Sequence, residues 1–158
     1  MDHPPEISDV ELSFGEPKHG WLPIDVRIGD FKFRDLASNV LNDPLEEFLE
    51  LRAFLLGEML GRHRVSLWLE PAGYLVEVTR IDEVLASFTV WFEEAFVPPR
   101  IHKTSQRVFE GVAQRESAAR RIEQAYWVLR REQAARLANW GNIERYDELV
   151  GRVGHKPG

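Results

Sequence analysis

Arg64–Val78 reads RVSLWLEPAGYLVEV. Val65, Leu67 and Leu69 alternate with Ser66, Trp68 and Glu70, and a period of two belongs to a strand. Pro71-Ala72-Gly73 supplies a turn before alternation resumes at Tyr74, so the stretch predicts a β-hairpin. A hairpin implies antiparallel sheet with short local connections. Trp68 does not fit simply, because alternation puts it on the face that should be wet.

Working outward, strands over Arg64–Glu70, Tyr74–Ile81 and Val84–Phe92 make a three-stranded meander that Pro98-Pro99 ends. Upstream, Ser8–Phe14 and Leu22–Ile28 alternate on either side of the loop GEPKHG, Gly15–Gly20. Gly29-Asp30 then turns the chain into Phe31–Leu36. This predicts a first meander of three strands. Between the two lies a helix with a strong start: Asp43 at the N-cap, Pro44 at the first helical position and Glu46 three residues after the cap. Leu45, Phe48, Leu49, Leu55, Leu56 and Met59 share its apolar face, Glu46, Glu47 and Glu50 crowd its first turns, and Gly61 is the expected stop.

Past Pro99 the pattern reads as helix, capped by Thr104 or Ser105 and carrying Val108, Val112, Ala119, Ile122, Tyr126, Leu129 and Leu137 at helical spacing. Its apolar stripe thins near Glu116-Ser117, a candidate break. Gly141 ends it, and Asn142 caps a short helix to about Val150. The expectation is an α+β fold, antiparallel, in the order βββ-α-βββ-α-α. It forms a single domain over 1–158 with flexible tails at 1–6 and 152–158.

The second meander has two apolar faces. Val65, Leu67, Leu69, Val76, Val78, Phe88, Val90 and Phe92 take one; Trp68, Leu75, Trp91 and Ile81 take the other. Either the long C-terminal helix covers the second face, which is the expectation, or that face docks a partner, since aromatics are enriched at interface cores.

Charge is unevenly spread. The chain has a net charge of −6, with −11 in residues 1–99 and +5 in residues 100–158. A basic segment can mark an anionic partner. Here Arg107, Arg115, Arg120, Arg121, Arg130, Arg131 and Arg136 are interleaved with Glu110, Glu116, Glu123 and Glu132. Pairs such as Glu116–Arg120 and Glu132–Arg136 stand at i,i+4, the pattern of a self-neutralising helix. With a pI near 5.4, nucleic-acid binding is not expected.

Catalytic and cofactor signatures do not occur. There is no cysteine, so disulfides, thiolate metal sites and cysteine nucleophiles are excluded. The histidines, His3, His19, His63, His102 and His155, stand at no metal-motif spacing, and no GxSxG, GxGxxG or P-loop is present. No metal, cofactor or catalytic residue is expected. MDHPPEISDV has neither the basic nor the apolar region of a signal peptide, and acids and Arg52 break the run Leu45–Leu60. The expectation is cytoplasmic residence with no membrane contact. One local cluster, His19-Gly20-Trp21, puts a titratable ring and a large aromatic in a Gly/Pro-rich loop, where function concentrates.

The run HGWLPIDVRIGDFKFRDLASNVLNDPLEEFLELRAFLLG (19–57), followed by RVSLWLEPAGYLVEV (64–78), resembles a pattern in small bacterial proteins similar in size and acidity to immunity proteins of polymorphic toxin systems. Its motifs are structural, a helix cap in NDPL and a turn in EPAG, so no site residue transfers. The resemblance implies a non-enzymatic, protein-binding chain. It would inhibit a toxin through an acidic face bearing Glu46, Glu47 and Glu50, with Trp68, Leu75 and Trp91 as a further candidate surface. The alternatives are a small-ligand binder or enzyme using the His19–Trp21 loop, and a homo-oligomer joined through the last helix.

Overall fold

Alternation places the first three strands. In the computed structural model, which describes residues 6–57, 61–95 and 105–151, β1 (Val10–Phe14), β2 (Trp21–Ile28) and β3 (Phe31–Ser38) form an antiparallel sheet in that order. Leu12 pairs with Val26 and Val26 with Phe33. Leu22, Ile24, Val26, Ile28, Phe31, Phe33 and Ala37 are therefore buried on one face, while Asp25, Lys32 and Arg34 remain in solvent on the other.

Helix α1 (Pro44–Leu56) starts as its sequence predicts. Asp43 Oδ1 accepts from the N–H groups of Leu45 (3.0 Å) and Glu46 (3.2 Å), two of the four donors a helix start leaves without partners. The helix closes at Gly57 rather than Gly61, and Met59 lies outside the described residues. Its last carbonyls have a partner that no local pattern reveals. The buried Arg115 guanidinium donates to the oxygens of Leu55 (2.9 Å) and Gly57 (3.0 Å), and also to Asp82 O (2.9 Å).

The second sheet differs from expectation. It has four strands, β4 (Arg62–Trp68), β5 (Gly73–Arg80), β6 (Leu85–Glu93) and β7 (Gln106–Gln114), each antiparallel to the next. The fold is α+β with two antiparallel sheets, and Gln106–Gln114 is a strand where helical spacing suggested helix. Val108 and Val112 satisfy a period of four. Phe109, Gly111 and Ala113 satisfy a period of two, and they pair with Val90, Phe88 and Ala86. Pairing to β6 decides the matter because it satisfies a whole row of backbone groups on that edge. Gly111 also suits a strand that approaches closely, since a Cβ there would lie 2.6 Å from Phe109 Cζ. Pro98, Pro99 and Thr104 lie outside the described residues. Ser105 caps no helix; its hydroxyl donates to Glu93 Oε2 (2.9 Å). The expected tails lie outside the described residues except Glu6.

Helix α2 (Arg115–Glu132) begins one residue before the expected thinning of the stripe, and it does not run on to Asn139. Gln133 leaves helical geometry at φ −129°, ψ 35°, and α3 (Ala134–Trp140) follows. A straight helix over this span would run about 39 Å; the break lets Leu137 become fully buried. It also removes the expected Glu132–Arg136 pair: Arg136 reaches Glu16 (2.7 Å) instead, while the exposed Glu116–Arg120 pair forms as expected at 3.4 Å. Asn142 Oδ1 accepts from Arg145 N–H (3.1 Å) at the start of α4 (Ile143–Gly151).

The helices lie together. Helix α1 packs on β4, α2 and α4, and α2 packs chiefly on α1 and β1. Arg52, fully buried, reaches Glu123 (3.2 Å); Arg130 holds Asp147 (3.1 Å) and Arg145 holds Glu46 (3.0 Å). Arg145–Glu46 and Arg136–Glu16 join the basic C-terminal part to the acidic remainder, while Arg130–Asp147 is internal to the C-terminal part. Both inner sheet faces share one core with α1 and α2, joined by edge contacts such as Phe31–Tyr74 (5.7 Å) and Phe14–Phe48 (5.7 Å). No helix among the described residues is long and apolar enough to cross a membrane.

Candidate functional site

The outer face of the four-stranded sheet answers the question Trp68 raised. Register pairs Ser66 with Leu75, Leu75 with Trp91, and Trp68 with Gly73. Residues directly opposite share a face, and those two positions away are diagonal neighbours. Trp68, Leu75 and Trp91 therefore form one cluster, opposite in phase to Val65, Leu67, Val76 and Val90. Ile81 does not join it: β5 ends at Arg80, and Ile81 stands 51% exposed in the turn beyond. Leu75 is buried at 1% exposure yet lies apart from the main core, and the two tryptophans are partly buried around it. Both indole N–H groups are shielded from solvent and meet no acceptor among the described residues. An unmade bond of this kind costs about 1–3 kcal/mol.

The expected cover is not a described helix. Helix α2 meets β1 and α1, touches the second sheet mainly through β7, and spends its buried face, including Ile122, Tyr126 and Leu129, on the core. That is a correction with a clear cause: Gln106–Gln114 became a strand, so the helix starts at the far corner of the sheet. The loop before α1 borders the same region. Asn42 Nδ2 donates to Ser66 O (2.8 Å), and its neighbours Val40 and Leu41 are 69% and 49% exposed.

Two of the acids of α1, Glu46 and Glu47, are engaged within the fold. Glu46 pairs with Arg145. Glu47 seals the free edge of β4: its Oε1 accepts from Ser66 N–H (2.6 Å) and from Asn42 Nδ2 (3.1 Å). Burial pushes its carboxyl up to about 7, with the charges of Glu50 and Asp43 adding to the effect. Beside it, His63 Nε2–H donates to the Glu47 carbonyl (3.1 Å) and its ring stacks on Phe54 at 5.9 Å. Burial holds His63 below the ordinary imidazole value. Glu50, partly buried on the same helix, opposes that shift. No sequence signal links Glu47 to Ser66, nineteen positions away.

His19 sits at the tip of the β1–β2 connection. Lys18 and Trp21 exchange both backbone hydrogen bonds, at 2.9 and 3.0 Å. His19 and Gly20 turn the chain with φ of +53° and +79°, as a primed turn demands. His19 is exposed, Trp21 is partly buried on β2, and no carboxylate or nucleophile bonds His19 among the described residues. Sequence reasoning missed the residues that face this turn across a cleft of about 270 Å³: Asn39, Arg136, Asn139 and Trp140. They come from the end of β3 and from α3, and only the break at Gln133 delivers the latter. Among the described residues no three His, Asp or Glu side chains are grouped to hold a metal ion.

Comparison of the chain with protein-family models, with curated proteins and with solved structures found no match in any of the three.

Proposed function

We propose that this chain is a non-enzymatic protein-binding protein that docks its partner on the outer face of the four-stranded sheet, around Trp68, Leu75 and Trp91. The observation that carries this reading is a second apolar cluster, separate from the core, on a face where none of the described helices is chiefly packed. Aromatic anchors beside a buried aliphatic side chain are what dominates binding energy at interfaces. Exposed Val40 and Leu41 widen the apolar area at the β4 edge, and Arg64 with Glu77, paired at 3.0 Å, forms a polar rim.

An immunity-type inhibitor of a bacterial toxin is the form of this function that the net charge of −6 supports, because it speeds encounter with a basic partner. Cytoplasmic residence goes with that reading. Glu46 and Glu47 lie outside the contact, since they are held by Arg145 and the β4 edge.

The test is co-expression with the products of the genes beside this one, using the natural chain and the Trp68→Ser/Trp91→Ser variant. A stoichiometric complex is expected with the first and not with the second, while the variant keeps its cooperative melt. A complex that survives the double substitution, or a variant that no longer folds, would overturn the reading.

A further inference from the structure

We propose that the cleft between the His19 turn and α3 is a binding site for a small anion, the phosphate or carboxylate group of a metabolite-sized ligand. It shares no residue with the docking face and does not depend on it.

The chemistry of the lining carries the inference. Lys18 and His19 come from the turn, Asn39 from the end of β3, and Arg136, Asn139 and Trp140 from α3. Lys18, His19, Asn39, Arg136 and Asn139 can each donate a hydrogen bond, Lys18 and Arg136 can only donate, and Trp140, whose indole N–H is buried, supplies ring surface. Among the described residues no carboxylate lines the cleft. Glu16, at its border, pairs with Arg136 (2.7 Å) and leaves the described lining with a net positive balance. The contrast within the molecule is sharp. The larger cleft of about 660 Å³ between the sheets is lined by Glu6, Asp9, Asp30 and Glu110 around Arg27, and those carboxylates repel an anion.

The site is also built in advance. Two backbone hydrogen bonds close the Lys18–Trp21 turn, and a third, from Asn39 N–H to Gly20 O (3.0 Å), ties the end of β3 to it. A Cβ at Gly20 would stand 3.0 Å from Asn39 Oδ1, so that amide rests directly against the turn. His19 holds a left-handed φ of +53°, a region in which histidine is enriched along with asparagine and aspartate, and the turn places its imidazole at the cleft mouth. Rigid donors arranged beforehand hold an anion without ordering cost at binding. A volume of about 270 Å³ is near the lower end of small-ligand sites, which suits a small anionic group rather than a long chain.

The experiment is a titration of the full chain with inorganic phosphate, and in parallel with citrate, followed by amide chemical shifts at constant ionic strength against sodium chloride. Saturable shifts confined to residues 17–20, 39 and 136–140 are expected for at least one anion; which one responds distinguishes phosphate from carboxylate. Lys18→Gln with Arg136→Gln should weaken binding about tenfold or more, since each removes a charge-assisted donor. Both side chains are exposed, so the variant should melt like the natural chain. His19→Asn keeps the turn and removes the ring, and should weaken binding without moving the melt. Shifts no larger than those with sodium chloride, or binding undiminished in the double variant, would overturn the proposal.

Discussion

Replacing Glu47 with glutamine should make this protein more stable at alkaline pH and leave it unchanged in acid. The folded carboxyl titrates near 7 against an ordinary value of 4.5, so the folded state keeps a proton that the unfolded chain has lost. The contribution is present below the unfolded value and disappears as pH rises through the folded one. A span of about 2.5 units at 1.36 kcal/mol each gives about 3 kcal/mol. Glu47 retains some solvent contact, so that figure is an upper bound. Glutamine keeps an oxygen to accept from Ser66 N–H and Asn42 Nδ2, the two bonds that seal β4, and removes only the charge. His63 titrates in the opposite sense. Its folded value lies below 6.5, so its contribution is lost as pH falls. Both chains carry His63, Glu50 and Asp43, and subtracting one profile from the other cancels them. The assay is urea denaturation followed by tryptophan fluorescence from pH 4.5 to 8.5. The difference should be near zero at the acid end and grow through pH 7. A difference that stays flat, or a variant less stable at pH 8.5, would show that Glu47 is not a buried carboxyl on a strand edge.

Asp43→Ala should cost about 2–3 kcal/mol in the same assay, about 1 for the lost cap and the rest for the buried Tyr146 hydroxyl that donates to its other oxygen; Asp43→Asn, which keeps the acceptor, should recover most of it. Gly141→Ala should cost about 1–3 kcal/mol, since the new Cβ would lie 1.9 Å from Tyr146 Oη; combined with Asp43→Ala the loss should be less than the sum, because both break one contact, and strict additivity would reject the shared mechanism. Arg115→Met should cost about 2–3 kcal/mol by removing the donor to the oxygens of Leu55 and Asp82 and leaving Gly57 O to Arg80 alone, and an unchanged melting temperature would refute its capping role. In the free protein, iodide should quench part of the tryptophan emission beyond that of the exposed Trp127, with Trp68→Phe and Trp91→Phe each reducing the quenchable fraction; a quenchable fraction unchanged in both variants would show both rings enclosed.

What the sequence made legible is what short-range chemistry decides. The cap at Asp43, the turn at Gly29-Asp30 and the phase of Trp68 against Val65 each depend on residues within a few positions, and the structure places each as expected. Gln106–Gln114 was misread because its choice is not local. Val108 and Val112 fit a helix and Phe109 and Ala113 fit a strand; the tie is broken by the open edge of β6, which the intervening chain conceals. The same holds for Glu47. Its place on a helix face was visible, but its partner Ser66 lies on a strand that α1 meets only after folding. The His19 cleft required more still, a helix break at Gln133 that has neither proline nor glycine to announce it.

Trp68 shows how one wrong element changes a functional inference while the local reading stays right. Alternation put Trp68, Leu75 and Trp91 on one face, and register agrees. A long helix capped by Thr104 or Ser105 and ended by Gly141 would furnish a cover, and the cluster would then be ordinary core. Once Gln106–Gln114 forms a strand, eight of its residues paired with β6, α2 begins beyond the sheet and spends its apolar stripe on α1 and β1. The cluster keeps its composition but loses its explanation: Leu75 is buried outside the core, and two indole donors meet no acceptor among the described residues. Natural folds seldom leave three large apolar side chains together on an outer sheet face unless something lies on them. The stability of Trp68→Ala therefore separates the cases. A core tryptophan costs about 3–5 kcal/mol on truncation. A docking residue costs a fraction of that in the free chain and shows its full weight only when the partner is present.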